Sequence, residues 1–172
     1  MKLASAPVLA LARLLALAAG LTLATAQADE YSDVSQMIRG GRLAEAQAKV
    51  DQYLAAKPRD PQMRYFKGLL QRESGQAAQA MATFTQLTED FPELPEPYNG
   101  LAVLHAAQGD YDQARAALEM AIRNNPGYAT AYENLGDIYV QLASQAYCKA
   151  QQLEAANTTV KAKLAKISTQ CP

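Results

Sequence analysis

Residues 109–126 read GDYDQARAALEMAIRNNP. The stretch opens on a glycine, continues through an amphipathic run and stops at a proline, and its punctuation recurs. Gly109 has counterparts at Gly75 and Gly41, Pro126 at Pro92 and Pro58, and Ala114 at Ala80 and Ala46, always at the same interval. Three landmarks on one period indicate an array of small stacked units.

Each unit has a simple physical reading. A glycine takes the left-handed conformation that closes a helix, so Gly41, Gly75 and Gly109 mark turns between two helices. The small Ala46, Ala80 and Ala114 let the second helix approach the first. Bulky residues follow at helical spacing: Val50, Tyr53 and Leu54, then Phe84 and Leu87, then Leu118, Ala121 and Ile122. A proline cannot continue a helix, so Pro58, Pro92 and Pro126 end their units.

This pattern resembles the tetratricopeptide repeats. The resemblance rests on Tyr98, Leu101, Ala102, Gly109, Tyr111, Ala114, Ala121 and Pro126, and resumes at Tyr132, Leu135, Gly136 and Tyr139. It covers roughly residues 29–155. It implies an all-α, superhelical array of antiparallel helix pairs. The units are expected at about 29–60, 61–94 and 95–128, followed by an atypical last unit at 129–156 and a cap at 157–172. In the first two units the apolar stripes, Tyr31, Val34 and Ile38, then Met63, Phe66 and Leu70, are displaced by one position from the pattern.

The end of the chain breaks the pattern differently. After Tyr139, the stretch VQLASQAYCKAQQLEAAN contains neither glycine nor proline. Tyr132, Leu135, Tyr139, Leu142, Ala146, Ala150 and Leu153 form one continuous stripe, which predicts a single long helix where a unit would have two. Asn157 or Thr158 can cap a last helix that puts Val160, Leu164 and Ile167 on one face. That helix is expected to cover the exposed end of the stack.

Residues 1–28 have Lys2 and Arg13, an apolar run from Leu14 and then small residues, the order of a secretory signal peptide. Cleavage after Ala26 or Ala28 fits equally. A membrane anchor is the alternative, but the run after Arg13 falls short of the roughly 20 apolar residues a span needs. From the style of leader, the mature chain is expected in a bacterial periplasm. Removing it leaves 14 basic against 17 acidic residues, a formal charge of −3, which gives no basic surface for nucleic acid.

Catalytic chemistry is sparse. The one histidine, His105, falls where the resemblance has a packing tyrosine, and it is read as packed. No metal-ligand spacing and no phosphate-binding glycine loop is present, so no cofactor, metal or small-molecule substrate is expected. Cys148 and Cys171 are an even count in an exported chain, which permits a disulfide. Their different depths from the turn between the last two helices weigh against it.

The resemblance implies a scaffold that binds a peptide or protein segment on a concave surface lined by the first helix of each unit. The groove candidates are Arg39, Arg72, Glu96, Asn99, Val103, Glu133 and Asp137, which would make the groove basic near the first units and acidic near the last. The family's carboxylate clamp of Lys and Asn residues is not visible. The alternative is a structural subunit of an envelope complex, docking or self-associating through its stack ends with the groove idle.

Overall fold

Identical turns recur along the chain of the computed structural model, which describes residues 30–167 and 171. The predicted leader, residues 1–28, lies outside the described residues. Among these there are eight helices and no strand: α1 (residues 30–39), α2 (Leu43–Ala56), α3 (Pro61–Glu73), α4 (Ala77–Asp90), α5 (Pro95–Ala107), α6 (Tyr111–Asn124), α7 (Ala129–Leu153) and α8 (Thr158–Lys166). None of them is long and apolar enough to cross a membrane.

Two kinds of turn alternate. After α1, α3 and α5 the chain passes through Gly41, Gly75 and Gly109 with φ of 71°, 76° and 81°, a region L side chains rarely adopt. Each closes its helix in the same way: Gly75 N–H donates to the Arg72 carbonyl and Gln76 N–H to the Gln71 carbonyl, which satisfies two orphan acceptors. After α2, α4 and α6 come Pro58, Pro92 and Pro126, each inside a turn closed by a backbone bond such as that from Leu94 N–H to the Phe91 carbonyl.

The fold divides into two compact units, one ending at Phe66 and one starting at Lys67. In the first, Val34, Val50 and Met63 are fully buried. Asp60 ties its helices together: Oδ1 accepts from Met63 N–H at the start of α3, and Oδ2 accepts from the Tyr31 and Tyr53 hydroxyls at 2.6 and 3.3 Å. In the second, Phe84 of α4 is the largest fully buried side chain. A Cβ placed on Gly68 of α3 or on Gly100 of α5 would lie within 2.9 Å of three Phe84 ring carbons, so this ring requires glycine on both neighbours.

One further step of the repeat beyond Gly109 falls on Ala143, and there the chain does not turn. α7 runs 25 residues, as the unbroken pattern predicts. Its buried residues differ from the predicted stripe, however. Ala131, Ile138, Ser144 and Cys148 are buried, whereas Tyr132 and Tyr139 are each 50% exposed and Leu153 is 78% exposed. The reason is that α7 has two different neighbours. Its first half packs Ala131 and Ile138 against Leu118 and Ala121 of α6, and its second half packs Cys148 against Val160 and Leu164 of α8.

α8 is capped by Asn157, whose side chain accepts from Val160 N–H at 3.0 Å. The helix covers the end of α7 around Tyr147 and Cys148, while Tyr132, Tyr139 and Val140 stay exposed. Cys148 and Cys171 are joined in a disulfide with Cα atoms 5.4 Å apart, against the balance drawn from their depths along the hairpin. Cys171 comes back to the cluster formed by Cys148, Val160 and Leu164, and this removes the mismatch in depth.

Candidate functional site

In the second unit α5, α6 and α7 converge on a core of Ala102, Ala114, Leu118, Ala121, Ala131 and Ile138. The alanines keep the helices close, while Tyr98, Tyr111 and Leu135 pack round the edge. Beside this core lies a cleft of about 200 Å³. α5 contributes Ala102, Val103 and Ala106, α6 contributes Leu118, and α7 contributes Asn134, Asp137 and Ile138. The floor is therefore aliphatic, and one wall carries an amide and a carboxylate.

The polar wall is anchored. Asn134 Nδ2 donates to Asn99 Oδ1 at 2.7 Å, tying α7 to α5. Asn99 is only 7% exposed, so this bond forms in a poorly solvated place where breaking it would strand an amide. Asp137, one turn further along α7, is exposed. Such a site can take an apolar side chain on its floor while the amide and carboxylate meet a backbone amide or a basic group. The volume is below the roughly 300–1,000 Å³ of clefts that enclose drug-sized molecules, and suits one or two side chains of a longer segment.

Of the groove candidates, Val103 and Asp137 line this cleft, and Asn99 supports it from behind. Glu133 is exposed on α7 one turn before Asp137. Glu96 is half-buried near Tyr128, whose phenol is pushed above its usual value chiefly by burial and secondarily by the Glu96 charge. Arg72 is engaged with Glu73, at 2.7 Å, and does not line the cleft. Arg39 belongs to the first unit, where it is exposed and donates to the Ser35 hydroxyl. The candidate set missed Asn134. Counting one repeat on from Asn99 gives Glu133, and the bond is made by the next residue instead.

Among the described residues no group of three or more His, Cys, Asp or Glu could hold a metal ion. The Nδ1 atom of His105 is buried and has no hydrogen-bond partner among the described residues.

Two family models, both described as tetratricopeptide repeat, match residues 38–95 and 71–137, together more than half of the chain. The chain belongs to the tetratricopeptide repeat family. Solved tetratricopeptide repeat structures agree. A thermophilic repeat protein of Thermus thermophilus, TTC0263, superposes with a TM-score of 0.60 at 19% identity, over 81% of this chain and 97% of its own. A repeat protein of Parabacteroides merdae gives 0.54 at 17% identity, over 81% and 59%. At such identities the likeness is one of fold.

Repeats of this family generally act as scaffolds that bind protein partners. Among curated proteins, the probable biofilm formation methyltransferase WspC of Pseudomonas putida is 33% identical over 90 residues, 52% of this chain and 21% of its own length. A chloroplastic repeat protein of Arabidopsis thaliana, PYG7, is 42% identical over 50 residues, 29% of this chain and 17% of its own. The matched part spans about a fifth of either relative.

Proposed function

We propose that this chain is a non-enzymatic scaffold of the bacterial envelope that holds a segment of a partner protein in the α5–α6–α7 cleft. The observation that carries the reading is the cleft's composition: an aliphatic floor of Ala102, Ala106 and Ile138 beside the anchored Asn134 and the exposed Asp137. Apolar contacts would supply affinity, and the acidic rim of Asp137 and Glu133 would select basic segments and set their direction. Export after Ala26 or Ala28 accounts for the leader, and the Cys148–Cys171 bond fits an oxidising compartment.

A photoreactive residue in place of Val103, activated in cells, tests the cleft. We expect a crosslink to one envelope protein, lost on Asp137→Lys; crosslinks only to further copies of the chain would favour the structural-subunit alternative. Sequencing the N-terminus of the protein from a periplasmic extract should give Gln27 or Asp29 first. A chain still starting at Met1 in the cytoplasm would overturn the location.

A further inference from the structure

Among the described residues, one face of α7 lacks the cover that its counterparts have. Gly136 stands two repeat steps beyond Gly68, and one beyond Ala102. A Cβ on Gly68 would run into the Phe84 ring of α4. Ala102 is 1% exposed, in a cluster with Ala114 and Leu118 of α6. A Cβ on Gly136 would meet nothing within 4 Å. Around it Tyr132, Tyr139 and Val140 are all exposed large side chains. Their spacing along α7 puts Tyr132, Gly136, Tyr139 and Val140 on one helical face. This is where the second helix of a repeat would return, had the chain turned at Ala143. Because α7 continues straight, α8 packs on Cys148 and Tyr147, further along.

We propose that this bare face of α7 is a docking surface for an amphipathic helix of a partner protein, one that sets a bulky apolar side chain over Gly136 and basic residues beside Glu133 and Asp137. Over Gly68, Phe84 shows what covers a glycine at this position of the repeat. Two exposed tyrosines flanking a glycine make a notch between ridges, which receives a side chain from a helix laid along it.

Charge selects the partner. From Ala129 to Cys148, α7 has two acidic residues, Glu133 and Asp137, and no basic one. A second copy packed antiparallel about Gly136 would gather the Glu133 and Asp137 carboxylates of both copies along one edge of the contact. Like charges at helical contact are destabilising, whereas a basic helix meets complementary charge. The surface shares the Glu133 and Asp137 rim with the cleft but not Val103 of its floor, so Gly136 and Val103 variants report on the two separately.

The probe is a stapled, fluorescein-labelled peptide of residues 77–90, the helix that carries Phe84, with Ala78→Lys and Thr85→Lys along one edge. Stapling supplies the helicity that a peptide of this length lacks in water. Anisotropy titration against the purified chain should show saturable binding, weakened at least tenfold by Gly136→Leu. Val103→Asp should leave it unchanged, and the peptide without the two lysines should bind several-fold more weakly at low salt. A Cβ at Gly136 meets nothing within 4 Å, and the circular dichroism of Gly136→Leu serves as the folding control. Absence of binding, or binding indifferent to Gly136→Leu, overturns the proposal. So does a concentration-dependent dimer in sedimentation that Gly136→Leu abolishes, because the occupant would then be a second copy.

Discussion

Gly68 and Gly136 occupy the same place in their repeats and live in opposite surroundings. Gly68 lies under the Phe84 ring, which no added methyl group could share, while Gly136 looks into open space. The residue type is common to both, but the reason for it is not. At Gly68 the glycine is required by packing; at Gly136 the protein itself makes no demand for it, and any demand must come from whatever settles there. Identical letters in a repeat therefore carry different physical weight depending on whether the chain folds back.

The widest test of this contrast is Phe84→Ala, which empties the space between Gly68 and Gly100. We expect a loss of about 3–5 kcal/mol in a denaturant titration. A much smaller loss would mean that the two glycines are not held by the ring. At the other end, Cys148→Ser with Cys171→Ser removes the disulfide that holds the chain end to α7. Stability should fall by about 2–4 kcal/mol, with faster hydrogen exchange in α8 and little change in α5 and α6.

The glycines themselves give the sharpest comparison. Gly68→Ala should cost about 1–3 kcal/mol through overpacking. Gly136→Ala should instead raise stability by up to about 1 kcal/mol, because alanine is the better helix former and meets no neighbour. Opposite signs in thermal melts support the contrast, and equal losses would break it.

The smallest effect concerns Tyr128, at the start of α7 on its covered side. Its folded pKa lies above the ordinary value of 10.0 because burial, and then the Glu96 charge, disfavour the phenolate. The corresponding stability is fully present below that ordinary value and is lost as pH rises through the folded one. Melting temperature should therefore fall more steeply above pH 10.0 in the wild type than in Tyr128→Phe.

Much of the fold was legible because local chemistry and the repeat said the same thing. Gly41, Gly75 and Gly109 need positive φ, and the prolines need a turn, whatever surrounds them. The site was less legible. Val103 and Asp137 could be placed on a helix face by counting, but Asn134 could not, because its partner Asn99 lies 35 residues back and the repeat, one residue shorter, passes it by. Asn99 reads as surface in a helical projection, yet the packing of α5 against α7 buries it.

What the sequence determined by itself was where helices begin and end, and that α7 would run on where no glycine allowed a return. Backbone conformation is set by residues within a few positions of one another, and a linear pattern holds that information. What only the tertiary structure decided was which side of each helix is covered. It set the change of face along α7, the return of Cys171 to Cys148, and the ring over Gly68 with none over Gly136. Cover depends on where another segment comes to rest, and for a helix that changes neighbours half-way no single apolar stripe can record it.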